Sequence, residues 1–242
     1  MQEALGDYPG ATESLRRSLH YCETRGDAEG EAAIRTTLGH LSCLTGDFQG
    51  AVAHLTRALA MHREDGQQVQ HAVTLNYLGQ ARRLMGEASP AVASQQEAIA
   101  RFSALGIQLG EANAWQELGL ARQLAGESGA LEAGQRALSL YAEIGDRIGQ
   151  AEALNSLGEI LLASGQAAEA TAAHERAAEL IGELDAPMET ARALEGLGRC
   201  QLGQADIEPA LAALRQALTT YRQLGSPRAE QIAALLTGAR VT

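Results

Sequence analysis

The side chains able to do chemistry here are six histidines, three cysteines and thirty carboxylates, and their spacing does not gather them. His20, His40, His54, His62, His71 and His174 include no i,i+4 pair, so no helix presents a two-histidine zinc motif, and His174-Glu175 lacks the second histidine. Cys22, Cys43 and Cys200 form no Cys-x-x-Cys pair, and no partner histidine can be named for any of them as a nucleophile. Lysine is absent: all 19 basic residues are arginine. That removes a phosphate-loop lysine, a kinase-type strand lysine and a Schiff-base lysine. The glycines are spaced punctuation and do not cluster into a phosphate cradle. Asp7, Asp27, Asp47 and Asp146 each follow a glycine at a helix junction, where a carboxylate caps the free N–H groups of the next helix. The expectation is no catalytic residue, no metal site and no cofactor.

Bulk composition narrows the remaining classes. Apolar residues are 45% of the 242, but aromatics only 3%, so an interior must be built from Ala and Leu, the strongest helix formers. This reads as an all-α chain. The net charge of −11 lacks the basic stripe that releases counterions from phosphate, so no direct nucleic-acid contact is expected. No charged-then-apolar leader opens the chain and no run of 18 apolar residues could span a bilayer. An odd number of cysteines fits a reducing, cytoplasmic location.

What positions these residues is a repeat. Leu38-Gly39, Leu78-Gly79, Leu118-Gly119, Leu157-Gly158 and Leu197-Gly198 recur at steps of 40, 40, 39 and 40 residues. A fixed period of this length marks a solenoid, whose units bury their apolar faces only by stacking. In one unit, a first helix over about Val69–Met85 is followed by a turn at Gly86-Glu87. A second helix over about Pro90–Leu105 is closed by Gly106 with positive φ. The mid-repeat turn recurs at Gly6-Asp7, Gly46-Asp47, Gly126-Glu127, Gly165-Gln166 and, degenerate, Ala205-Asp206. A small residue follows five positions after its first member, but only four later at Ala130, so the single 39-residue step is assigned to a shortened turn at Gly126–Ala130. Glycine inside a helix costs about 1 kcal/mol relative to Ala, and its recurrence in every Leu-Gly pair predicts close helix contact there. Cys22, His62, Phe102, Tyr141, Ile181 and Tyr221 recur once per unit and should fill the gaps between repeats.

Trp115-x-x-Leu118-Gly119 with Gly126, Ala130 and Ala137 resembles the tetratricopeptide (TPR) pattern, although Arg122 stands where the consensus has Tyr. The period here is longer than the usual 34 residues. That longer form, with segments such as Ala142–Ala151, looks like Pins/LGN scaffolds and bacterial Rap-type peptide-sensing regulators. It looks most like the carboxy-terminal repeats of actinobacterial SARP-type transcriptional regulators, whose endings are similar to Tyr221-Arg-Gln-Leu-Gly-Ser-Pro-Arg-Ala-Glu-Gln-Ile232. The resemblance implies a right-handed α-solenoid of antiparallel helix pairs, a TPR superhelix of about 11–12 helices running over 1–242. The expected division is a truncated first repeat at 1–25, full repeats at 26–65, 66–105, 106–144, 145–184 and 185–224, and a capping helix and tail at 225–242. A start within a repeat, with the first helix missing or reduced to Met1–Leu5, reads as a segment of a longer protein. It would leave an apolar helix face open to a second copy, as a homodimer.

In TPR superhelices the first helix of each repeat lines a concave groove. Transferred by the Leu-Gly register, the groove positions are Thr36, His40 and Cys43; Asn76, Gln80 and Arg83; Gln116, Leu120 and Gln123; Asn155, Glu159 and Leu162; and Glu195, Arg199 and Leu202. Side-chain amides, each with a donor and an acceptor, suit an extended peptide backbone. The function implied is a non-enzymatic protein- or peptide-interaction module, the sensory or regulatory end of a bacterial transcriptional regulator. Its partner would be a protein, a peptide or another domain of the same regulator. The alternatives are a free-standing scaffold and a receptor for a signalling peptide or small molecule.

Overall fold

A computed structural model of the chain describes residues 8–64, 66–182 and 184–238. Met1–Leu5 and the Gly6-Asp7 turn lie outside the described residues. Among the described residues there are twelve helices and no strand. They fall into two compact units, Met1–Gly126 and Glu127–Thr242. The first contains α1 (Tyr8–Arg25), α2 (Ala28–Thr45), α3 (Phe48–Glu64), α4 (Gln68–Leu84), α5 (Ala88–Leu105) and α6 (Gln108–Ala125). The second contains α7 (Ala130–Ile144), α8 (Arg147–Ala163), α9 (Ala167–Ile181), α10 (Pro187–Gly203), α11 (Ile207–Gln223) and α12 (Arg228–Gly238). In each unit successive helices pack on one another across short turns, and alternate helices also touch: α2 on α4, α4 on α6, and α8 on α10. This is the α-solenoid arrangement, built of antiparallel helix pairs.

The helices start and stop where the turn chemistry dictates. Asp27, Asp47 and Asp146 accept hydrogen bonds from the backbone N–H groups of Gly30, Gly50 and Gly149 at 2.9, 2.9 and 3.0 Å. Each thereby satisfies one of the donors a helix start leaves open. Gly106 closes α5 at φ 69°, with its N–H bonded back to Phe102 and Ser103. The degenerate turn is strained: Ala205 holds φ 61°, among the described residues the one non-glycine with positive φ. A Cβ in that conformation costs roughly 1–2 kcal/mol.

The interior is Ala and Leu, as the composition requires, and all six members of the once-per-repeat stripe are buried. Four of the five Leu-Gly glycines make the close contacts their cost implies. A methyl group at Gly39 would overlap Leu55, and one at Gly79 would overlap Gln95. In the second unit Gly158 faces the His174 ring, and Gly198 would bring a Cβ to 2.7 Å from Leu214 Cγ. These four opposing residues occupy one repeat position, four after the small residue that opens the second helix. The glycine lets that side chain sit directly on the backbone of the preceding helix.

The 39-residue step is resolved differently from the sequence expectation. The lost residue lies between Gly126 and Ala130, but the turn is not tighter. Residues 127–129 are non-helical, Gly129 caps α7 at φ 84°, and α7 has 15 residues where α5 has 18. The deletion unwinds the first helical turn.

Three substitutions test this packing account by urea or thermal unfolding. On α10, Gly198→Ala should destabilise by about 1–3 kcal/mol, because Leu214 and the Ala210 carbonyl cannot both withdraw. Gly203→Ala on the same helix, with nothing within 4 Å, should be neutral or stabilising by up to about 1 kcal/mol. Ala205→Gly should stabilise by about 0.5–1 kcal/mol, the relieved strain being partly offset by the greater freedom of glycine in the unfolded chain.

Candidate functional site

In the first unit the register-selected residues lie where α2, α4 and α6 meet. The hydroxyls of Thr36 and Thr74 are 3.0 Å apart, and His62 Nε2 is 3.3 Å from Thr36. His40 stacks on Tyr77 with ring centroids 4.3 Å apart. Glu117, buried on α6, receives Gln80 Nε2 at 3.1 Å and Arg83 Nε at 2.8 Å from α4. Asn76, Gln116 and Leu120 are buried at 9%, 7% and 6% exposure, Gln80 and Arg83 are half-buried, and Gln123 is exposed. The side-chain oxygens of Asn76, Gln80 and Gln116 have no hydrogen-bond partner. Cys43 is buried and its thiol is pushed up to about 12 by desolvation, with Glu117 adding to the shift, so it is not a nucleophile at neutral pH.

In the second unit the selected positions fall into an ionic cluster. Asn155 is fully buried, and its amide nitrogen donates to the Glu189 carbonyl at 3.1 Å and carboxylate at 3.0 Å. With its NH2 spent, Asn155 Oδ1 accepts, at 3.1 Å, from His174 Nδ1. That assigns the proton to Nδ1 and leaves Nε2 a bare acceptor without a partner. Glu159 binds Arg192 at 3.0 Å and Arg228 at 3.4 Å. Glu195, also buried, binds Arg199 at 2.9 Å and Arg228 at 3.4 Å and accepts from Tyr221 Oη at 2.9 Å. Leu162 and Leu202 are half-buried and Arg199 is exposed.

Glu159, Leu162, Glu195 and Arg199, on α8 and α10, line a cavity of about 290 Å3, joined there by His174 of α9, Arg192 of α10 and Arg228 of α12. Asn155 stands behind it. Burial acts against the charge of Arg192, but Glu189 and Glu159 outweigh it and raise the pKa well above the usual arginine value. Burial similarly opposes Arg228, and Glu159 with Glu195 reverses the effect. Burial lowers His174 to about 4, despite Glu159, so its ring is neutral at physiological pH.

Sequence reading placed neither His174, Arg192 nor Arg228 in a site. The signals were there. His174 holds the position that is Leu15, Leu55, Gln95, Gly134 and Leu214 in other repeats, and Arg228 the one that is Glu29, Val69, Leu109, Ile148 and Met188. A polar residue at a repeat position that is mostly apolar points to a local partner. Among the described residues no group of three or more His, Cys, Asp or Glu side chains is arranged to hold a metal ion, and no helix is long and apolar enough to cross a membrane.

The chain belongs to the tetratricopeptide repeat family, whose profile matches residues 30–104 and 150–223, more than half of it. Comparison with curated proteins finds no match. Among solved structures it is similar to BtubC from P. vanneervenii, at 18% identity over 96% of this chain and 92% of that one, TM-score 0.65. It is similar to NprR in complex with its cognate peptide NprX, at 15% identity over 94% and 67%, TM-score 0.75. TTC0263, a thermophilic TPR protein in Thermus thermophilus, matches at 19% over 87% and 100%, TM-score 0.65.

The histidine carries a pH signature. The unfolded ring takes up a proton near pH 6.5, the folded one near 4. The unfolded state therefore binds the extra proton between these values, and stability falls as pH drops through that window, by roughly 3 kcal/mol in all. Above pH 6.5 the contribution is fully present. His174→Leu exchanges one orphaned acceptor, Nε2, for another, Asn155 Oδ1, and should remove this part of the acid sensitivity. Urea unfolding of both proteins at pH 7 and pH 4.5 checks it: equal losses would refute the assignment.

Proposed function

We propose that this chain is a non-enzymatic peptide- or protein-binding module serving as the sensory end of a bacterial transcriptional regulator of the SARP type. The observation that carries the binding reading is the set of amide oxygens on adjoining helices α4 and α6, Asn76 Oδ1, Gln80 Oε1 and Gln116 Oε1, none with a hydrogen-bond partner. Unmet acceptors inside a protein cost about 1–3 kcal/mol each, and the N–H groups of an extended peptide would meet them. Half-buried Arg83 and exposed Gln123 border them. The likeness to NprR, a structure with its cognate peptide bound, supports a peptide as the ligand class. The regulator assignment rests on the ending Tyr221–Ile232 and its resemblance to such proteins. In that setting the partner is a peptide or another domain of the same regulator, and a second copy is an alternative occupant. A free-standing scaffold is the competing reading.

Selection of displayed peptides on the purified chain should yield a sequence family that binds with a measurable Kd. Gln80→Ala and Gln116→Ala should each weaken it about fivefold while helicity is kept. Failure to enrich any sequence family, or selected peptides indifferent to both variants, would remove this face from the proposal. For the regulator assignment the expected outcome is a gene whose reading frame encodes winged-helix and NTPase segments upstream. A complete gene coding for repeats alone favours the scaffold.

A further inference from the structure

The cavity between α8, α9, α10 and α12 has no part in the peptide reading, which concerns the first unit. Its charges are organised for one kind of ligand. Both carboxylates in its wall are already bound by arginine: Glu159 by Arg192 and Arg228, Glu195 by Arg199 and Arg228. They are not available to attract a cation. Three arginines stand in the wall against two carboxylates, and the third acid, Glu189, pairs with Arg192 from behind, so the charges balance and what the wall offers is spare N–H donors. Arg199 engages Glu195 through Nε alone, leaving its terminal nitrogens unspent, and both Arg228 contacts are long, at 3.4 Å. Two guanidinium forks with donors to offer suit a carboxylate.

The same wall holds two unmatched polar atoms: His174 Nε2, an acceptor on a residue 1% exposed, and Arg192 Nε, a donor. Both lie beneath the surface of the wall, and a hydroxyl that reached them would donate to the first and accept from the second. The volume of about 290 Å3 lies at the small end of ligand pockets and admits a metabolite-sized molecule.

The geometry points to this cavity as a binding site for a small hydroxy acid, its carboxylate held by Arg199 and Arg228 and its hydroxyl placed between His174 and Arg192. The histidine is uncharged above about pH 4 and so keeps its acceptor across the physiological range. The repeat itself shows that the polar residue is not needed for packing: Leu55 and Leu214 fill the same position elsewhere, each against its own glycine. Arg228 reaches Glu159 and Glu195 from the first turn of α12, so a bound carboxylate competes for the contacts that seat that helix. This site is independent of the peptide face and can fail or stand without it.

The test is calorimetric titration of the whole chain with 2-hydroxybutanoate, with butanoate (carboxylate, no hydroxyl) and with 2-hydroxybutanamide (hydroxyl, no charge). The expected result is binding of the hydroxy acid with one site per chain, and binding of each control weaker by about tenfold or more. Arg199→Gln should weaken it by a similar factor, and His174→Leu should reduce it to the level of butanoate with the melting temperature near that of the parent. Should His174→Leu not fold, His174→Gln, the choice made at Gln95, keeps an acceptor and should retain binding, whereas Arg199→Gln still reports on the carboxylate. The proposal is overturned by no binding of the hydroxy acid, by equal binding of the amide, by unchanged affinity in Arg199→Gln, or by binding only when the acid is presented as the end of a peptide.

Discussion

The fold depends on one contact repeated along the chain, a side chain of the second helix pressed onto a glycine of the first. Leu55 on Gly39, Gln95 on Gly79, His174 on Gly158 and Leu214 on Gly198 are the same contact at four places. Each glycine costs about 1 kcal/mol of helix propensity, and the burial it permits returns about 1.5–3 kcal/mol when the opposing residue is leucine. With only 3% aromatic residues, the chain has few large side chains to bridge a wider gap between helices. Close approach over glycine and alanine is the way left to fill the interior. The helix spacing, the Ala-rich core and the regular turn positions follow from that.

The two places where the opposing residue is polar are where the structure becomes chemically specific. A buried polar group must find partners or cost as much as a lost hydrogen bond. Gln95 solves this locally by donating to the Asn76 carbonyl at 2.8 Å. His174 draws in more of the chain: it fixes Asn155, which fixes Glu189, which pairs with Arg192, which pairs with Glu159. One substitution at a packing position thus commits α8, α9 and α10 to a shared polar network. Gly196, on α10, completes the fit, since a methyl there would overlap the same ring.

This explains what could and could not be read from the sequence. Residues whose role is set within a repeat were legible: the capping aspartates, the Gly106 stop, the buried stripe through Phe102 and Tyr141, and the Leu-Gly contacts. The register also put Gln80 and Arg83 on the first helix of one repeat, and Glu159 and Glu195 on the first helices of two neighbouring ones. What each faces is decided by a residue about one repeat away, Glu117 for Arg83 and Glu189 for Asn155, and period alone does not carry that pairing. The 39-residue step was located correctly but its consequence was not, because whether a deletion tightens a turn or unwinds a helix depends on which carries the cheaper hydrogen bonds. At Gly126–Ala130 a first helical turn, whose N–H groups have no intrahelical partner, was the cheaper to give up.

The ionic cluster is better understood as a device for placement than as a source of stability. Removing paired charges from water costs several kcal/mol per ion, and apolar residues of the same size often do as well or better. At the matching position the other repeats carry Glu29, Val69, Leu109, Ile148 and Met188, and the first four are exposed, so it is no core position there. Arg228 instead meets carboxylates from two different earlier helices, Glu159 of α8 and Glu195 of α10, and only one seating of α12 satisfies both. The ion pairs thus add a directional contact to the apolar seat that Ile232, Ala229 and Ala233 give the last helix.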